Sequence, residues 1–329
     1  MDKKKVIVYG LGDSYKKQKK YIESKFEIIA YSDSNRKLIF DLKADSELYI
    51  IPEDIQNYKY DFIYVTSSQY YKEIKRNIIE LIGNENGDKV VSVYDVFGDF
   101  RNSEVKSDWV INKLSEIGRG KKLLDAGAGS QRYRKFCDHL EYVAQDFAQY
   151  IPNEINVGLQ NDSWEYRGLD IICDIINMPL DNEVMDVILC TEVFEHLKNP
   201  ILALKEFNRI LKQGGTLILT APFCCLTHMA PYFFYNGFSE FWYREYLEIN
   251  GFEITEIRRN GNFFKYLSQE LFRVENMAEK YCSTTLKRDE IDAILKCVNI
   301  LTNLSEVDSN SNETLCFGYM LTAEKVRNI

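Results

Sequence analysis

The run Leu123-Leu124-Asp125-Ala126-Gly127-Ala128-Gly129-Ser130 carries an apolar stretch into an acidic, glycine-rich turn, with a helix expected after it. Glycines at such a turn let the backbone bend sharply and come close to a ligand, an approach that side chains would block. A Gly-x-Gly turn alone is weak support for nucleotide binding. The residues that follow strengthen it. Asp146 closes the stretch Tyr142-Val143-Ala144-Gln145 and is followed by Phe147. It lies about 20 residues beyond the turn, a spacing that lets a carboxylate chelate ribose hydroxyls. In Cys173-Asp174-Ile175-Ile176 the aspartate can accept a hydrogen bond from an exocyclic amine, and Ile175 can pack on an adenine face. Thr191 and Glu192 follow the apolar run Met185-Asp186-Val187-Ile188-Leu189-Cys190. They stand just past a strand's carboxyl end, where open α/β sheets bind ligands.

A second informative segment spans 220–238, rich in aromatic residues and containing Pro222-Phe223 and His228-Met229-Ala230-Pro231-Tyr232. His228 is the candidate general base, because an imidazole with an ordinary pKa near ~6.5 suits removal of a hydroxyl proton. A loop histidine satisfied by hydrogen bonds is the competing reading. Tyr232 and Tyr235 could stack on a sugar or complete the core. Glu195-His196 reads as a pair that orders its loop, with catalysis as the alternative. Cys224 and Cys225 are adjacent, so they are poorly placed to ligate one ion together, and with His228 they depart from structural-zinc spacing. No metal is expected.

In this order, the segments 123–130, 142–146, 173–180 and 185–197, followed by Leu211-Lys212-Gln213-Gly214-Gly215, resemble the class I S-adenosylmethionine (SAM)-dependent methyltransferases. The resemblance covers roughly residue 108 to the end of the sequence. It implies SAM as cofactor. The glycine turn would lie under the methionine part, Asp146 would hold the ribose, and Asp174 with Ile175 would hold adenine. Those roles pass to Asp125, Gly127, Gly129, Asp146, Asp174 and Ile175, with Thr191 and Glu192 beside the methionine end. It also implies a seven-stranded doubly wound sheet whose last strand, 315–321, runs antiparallel. The third glycine position of the family holds Gln131, which predicts a less open loop. The segment 220–238 is similar to a bacterial subgroup with His-x-x-Pro-Tyr after a Pro-Phe turn, found in surface-polysaccharide and lipid-linked sugar pathways. A hydroxyl of a sugar, nucleotide-sugar or glycan intermediate is the implied acceptor. The Asn/Asp-Pro-Pro-Tyr motif of amino-group methylation is absent, which favours oxygen.

These residues need elements to position them. Strands are expected at 122–124, 142–144, 187–190, 216–220 and 252–257. A helix is expected at 108–117 and another at 200–211, the latter capped by Asn199, opened by Pro200 and ended by Gly214-Gly215. Before them, strands at 6–9, 27–31, 62–65 and 90–93 alternate with helical patterns at 14–25 and 71–81, which implies a smaller parallel sheet. The sequence therefore suggests a Rossmann-like α/β domain at 1–98, a linker at 99–107 and a methyltransferase domain at 108–329. Residues 264–304 read as a helical insertion in that second domain, broken near Ser283-Thr284-Thr285. A lid, a substrate wall or an oligomer contact would explain it.

The sequence has 41 Lys and Arg against 50 Asp and Glu, a net charge of −9. So acidic a chain repels phosphate backbones, so no nucleic-acid partner is expected. No apolar run reaches the roughly 18 residues that span a bilayer, and no signal peptide is evident, so a cytoplasmic protein with reduced thiols is expected. Gly10-Leu11-Gly12 offers the N-terminal domain a nucleotide-type turn of its own, but its third glycine position holds Tyr15. Recognition of a nucleotide-sugar or lipid-linked acceptor is open to this domain, as is a purely structural or homodimerising role. Two other functions compete. An inactive scaffold would have lost some of the acid and glycine set, which is intact. A dehydrogenase or epimerase would need a Tyr-x-x-x-Lys pair on a suitable element, and the sequence offers none.

Overall fold

The computed structural model describes residues 3–329 except 45, 69, 153, 161–163 and 167. The chain forms two compact units, Met1–Glu104 with Phe264–Ser309, and Val105–Phe263 with Asn310–Ile329. Among the described residues, no helix is long and apolar enough to cross a membrane. None of the eight cysteines forms a disulfide.

In the first unit, strands β1 (Lys5–Tyr9), β2 (Glu27–Ser32), β3 (Tyr49–Ile50), β4 (Phe62–Val65) and β5 (Val90–Ser92) pair in parallel in the order β3-β2-β1-β4-β5. Helices α1 (Asp13–Lys25), α2 (Arg36–Lys43), α3 (Tyr71–Ile82) and α4 (Val93–Phe97) connect or follow them. Side chains alternate across a strand, and a parallel sheet buries both faces. β1 is apolar on both for that reason. Val6 and Val8 pack with Tyr21 and Ile22 of α1, whereas Ile7 and Tyr9 pack with Ile78 of α3.

The helical stretch 264–304 belongs to this unit and not to the second, contrary to the expectation from sequence. It forms α8 (Phe263–Cys282) and α9 (Arg288–Glu306). Ile291 is buried with Val6 and Val8. Phe272 meets Tyr21 and Phe100 with ring centroids 4.9 Å apart in each case. Lys20 pairs with Glu275 at 2.6 Å. The two helices therefore complete the core on one face of the five-stranded sheet, a role not visible in a sequence where they lie some 160 residues from it.

The helix α5 (Ser103–Ser115), all but its first two residues in the second unit, begins inside the segment expected to be a linker. Its polar first turn hides the start, and its apolar face buries only Trp109, Val110 and Leu114. Strands β6 (Lys122–Ala126), β7 (Glu141–Asp146), β8 (Ile171–Ile172), β9 (Met185–Thr191), β10 (Leu211–Pro222), β11 (Phe252–Asn260) and β12 (Gly318–Lys325) form one sheet in the order β11-β12-β10-β9-β6-β7-β8. β12 runs antiparallel to β10 and β11, and the rest of the pairs are parallel. This is the seven-stranded sheet expected from the sequence. β12 starts later than the expected residue 315 because its partners end at Pro222 and Asn260, both opposite Gly318.

Helix α6 (Pro200–Ile210) links β9 to β10, with the Asn199 side chain accepting the Leu202 amide at 3.3 Å, a cap that contributes about 1 kcal/mol. α7 (Glu240–Ile249) precedes β11. No α-helix follows the glycine turn after β6; a single 3₁₀ turn at Arg134–Phe136 stands where the sequence suggests one. Chain order reverses between β6 and β9, so the crevice at their carboxyl ends is where this sheet would take a ligand.

Candidate functional site

β6 ends in the glycine turn, and the turn's geometry requires its glycines. Gly127 has φ +79° and Gly129 φ +50°, left-handed values that cost other residues about 1–2 kcal/mol. A Cβ on Gly127 would sit 2.4 Å from a methyl of Val193, and one on Gly129 would sit 2.6 Å from the Trp164 ring. Val193 and Trp164 thus wall the turn closely. The amides of Gly127 and Ala128 donate to the Gln145 carbonyl at 2.9 and 2.8 Å, tying the turn to β7. Gln131 adopts φ +56°. This value is left-handed, and a glutamine bears the strain.

Asp146, at the end of β7, is buried. Its Oδ2 accepts the Gly129 amide at 2.9 Å and its Oδ1 the Ala148 amide at 2.9 Å. Burial raises its pKa, opposed by the amides of Ala148, Gly129 and Phe147. Each oxygen retains acceptor capacity. Asp125 lies beneath the turn, 2% exposed, where Tyr142 donates its hydroxyl to it. Burial pushes its carboxyl up to about 7, against the pull of Tyr142. Asp174 is exposed, and its Oδ1 accepts the Ile176 amide at 3.2 Å. The Ile175 side chain is 4% exposed and packs in the core with Met178, Met185 and Leu204. The core claims the face that the sequence suggests for adenine, because the strand-edge loop turns Ile175 inward.

At the ends of β9 and β10, Thr191 is half-buried and Glu192 takes a left-handed φ of +55°. The Thr220 hydroxyl donates to Glu192 Oε1 at 3.0 Å, and Lys106 pairs with its other oxygen. Burial would push Glu192 up, but Lys106 and Thr220 hold it below the usual carboxylate range. Three residues on, Glu195 is raised by burial and by the charge of Glu192. Two neighbouring carboxyls are driven apart in this way, one anionic and one favouring its protonated form.

Glu195 is 1% exposed, and His196 and His228 stand beside it, their ring centroids 4.8 Å apart. His196 Nδ1 donates to the Tyr232 carbonyl at 2.6 Å. Burial lowers its pKa to about 4, with the charge of His228 acting in the same direction. His228 Nδ1 donates to the Leu226 carbonyl at 2.9 Å. The loop that carries His228 is seated by Glu195, whose carbonyl accepts the Phe234 and Tyr235 amides at 2.9 and 3.2 Å. Tyr232 packs edge-on against Phe147 at 4.9 Å. Tyr235 is exposed and donates to the Lys198 carbonyl at 3.2 Å.

The structure therefore brings Gly127, Gly129 and Asp146 into one hydrogen-bonded turn, and His228, Tyr232 and Phe147 into a second group joined through Glu195 and His196. Sequence reasoning misses Lys106, Val193, Trp164 and Tyr142. Val193 lies within the 185–197 motif, and Tyr142 sits opposite Leu123 in β6. Lys106 carries no signal, since it lies in the expected linker. A surface hollow of about 290 Å³ lined by Lys122, Glu141, Val143 and Met185 opens at the opposite ends of these strands, away from the turn.

Residues 124–219 match the family model described as Methyltransferase domain. Residues 2–90 match one described as C2185-like, N-terminal. No curated protein matches the chain. Similar solved structures include a SAM dependent methyltransferase from Archaeoglobus fulgidus, at 16% identity over 70% of this chain and 97% of that one, TM-score 0.42. The YcgJ protein from Bacillus subtilis is 13% identical over 68% of this chain and 99% of its own, TM-score 0.39. Geranyl diphosphate methyltransferase in complex with GPP and sinefungin is 12% identical over 68% and 77%, TM-score 0.38. The residues present fit SAM: Asp146 is oriented by two amides at the strand end, beside the left-handed turn of Gly127 and Gly129.

Proposed function

We propose that this chain, a SAM-dependent methyltransferase built on the class I sheet, methylates a hydroxyl of a sugar, nucleotide-sugar or glycan intermediate. The observation that carries the reading is the group Glu195, His196 and His228, which begins two residues beyond the Val193 wall of the glycine turn. When bound, SAM supplies a methyl group on a positively charged sulfonium, which an acceptor oxygen displaces once it has lost its proton.

In this reading Asp125, Gly127, Gly129, Asp146, Phe147, Asp174, Ile175, Thr191 and Glu192 form the cofactor side. Ile175 serves through its backbone, since its side chain is in the core. His228 takes the proton. Its Nδ1 proton is donated to Leu226, so the neutral ring presents Nε2 as the accepting nitrogen. Tyr232 and Tyr235 offer aromatic faces to a sugar, with Phe147 fixing the Tyr232 ring. Much of the rate comes from holding the acceptor in line.

The test is turnover of SAM against a panel of nucleotide-sugar and glycan hydroxyl acceptors, for the wild type and His228→Gln. Turnover that falls by about 10²–10⁴ in the variant, with SAM affinity unchanged, supports the assignment. Turnover that survives the substitution removes His228 from the proton transfer. A folded protein that binds SAM but methylates no hydroxyl favours the second reading, an inactive scaffold in a biosynthetic complex.

A further inference from the structure

Proton transfer by His228 does not account for Glu195. Its Oε2 is buried with no hydrogen-bond partner among the described residues, and such a bond is costly to leave unmade. Its Oε1 lies 3.8 Å from His196 Nε2 and 3.9 Å from His228 Nε2, too far for hydrogen bonds. Both imidazoles donate Nδ1–H to backbone carbonyls, of Tyr232 and Leu226. A carbonyl only accepts, so each neutral ring carries its lone pair on Nε2, on the side of Glu195. Backbone anchoring of the distal nitrogen is the support that metal-bound histidines have.

We propose that Glu195, His196 and His228 form a binding site for a divalent cation of the first transition row. Their donor atoms all lie within 4.8 Å of one another. Two imidazoles and a carboxylate suit zinc, manganese or iron(II), and three protein ligands leave coordination positions open. Ligands about 2.1 Å from a shared ion stand roughly 3–3.5 Å apart, so the donors draw inward by about 1 Å on binding. Glu192, already held by Lys106 and Thr220, stays outside the ligand set. The cation site stands on this geometry alone. Its consequence rests on the hydroxyl acceptor proposed above and replaces the base assigned there: an acceptor hydroxyl at an open position loses its proton to solvent more easily, with His228 a ligand.

The full-length protein, stripped with a chelator and desalted, is titrated with Mn²⁺ by calorimetry and with Co²⁺ by visible absorption. Circular dichroism and thermal melts establish that the variants are folded, and His228→Gln replaces His228→Ala if the latter is not. The expected result is one equivalent bound, weakened at least about 100-fold in both Glu195→Gln and the His228 variant, and retained in Cys225→Ser. Absence of uptake by folded wild type, or uptake that survives both ligand substitutions, overturns the site. Uptake that follows the expected pattern while no hydroxyl acceptor is methylated upholds the site and counts against the proposed acceptor class.

Discussion

Both units place a Gly-x-Gly turn after their first strand, Gly10-Leu11-Gly12 after β1 and Gly127-Ala128-Gly129 after β6. In both, an aspartate after or at the end of the next strand accepts an amide of that turn. Asp33 accepts from Leu11 at 2.7 Å, and Asp146 from Gly129 at 2.9 Å. The difference lies in what surrounds the second glycine. Gly12 has φ −73° and open space where a Cβ would go. Gly129 is left-handed and pressed against Trp164. Helix α1 starts at once after Gly12, whereas no α-helix follows Gly129. The same pattern in sequence thus builds a helix entry in one unit and a turn walled by Val193 and Trp164 in the other. Packing around the glycines separates the two, and the glycines themselves do not.

The largest test of that contrast is Gly127→Val. Left-handed strain of about 1–2 kcal/mol adds to overpacking against Val193 of about 1–3 kcal/mol. Stability in denaturant should fall by about 2–5 kcal/mol, and SAM affinity measured by calorimetry on the folded variant should fall as the turn is displaced. An unchanged affinity would mean that the turn does not hold the cofactor.

Asp125 beneath the same turn gives a pH signature. Its folded pKa of about 7 lies above an unfolded value near ~3.9, so the folded state binds more protons between these values. Stability should therefore fall as pH rises from about 4 to about 7, by an amount on the order of a few kcal/mol. Asp125→Asn has no carboxyl to ionise and retains an acceptor for Tyr142. Its melting temperature relative to wild type should rise between pH 5 and pH 8. A difference that is flat with pH would contradict the buried carboxyl.

The smallest effect is expected at the other turn. Gly12→Ala meets no atom and no left-handed backbone, so its stability in denaturant should stay within about 0.5 kcal/mol of wild type, with SAM affinity unchanged. A large loss would show that the two turns are more alike than their surroundings suggest.

Both turns, and most of the framework around them, are legible in the amino-acid sequence. The long apolar strands β6, β7, β9 and β10 and the acids at their ends are marked by alternation and by turn residues, and the sheet follows from their order. β3 and β8 are two residues each, too short to show a period. Lys106 lies in a polar stretch where one cation is like any other, yet it fixes the charge of Glu192. The membership of α8 and α9 in the first unit depends on non-local contacts such as Ile291 with Val6 and Val8. Ile175 departs from its expected role because an apolar residue beside an acid looks the same in sequence whether it faces a ligand or the core. Glu195-His196 reads locally as a loop-ordering pair, and the nearness of His228 to it comes from a loop that only the fold brings back.

The most direct test of the central claim, that the cofactor lies at the second unit's turn, is SAM titration of wild type, Asp146→Ala and Asp33→Ala by calorimetry, with NADH as a control ligand. The expected result is one SAM site in the wild type, weakened about 10–100-fold in Asp146→Ala as a charge-assisted contact of about 1.5–3 kcal/mol is lost, unchanged in Asp33→Ala, and no NADH binding. SAM binding that is lost in Asp33→Ala and kept in Asp146→Ala would contradict it and move the cofactor to the first unit.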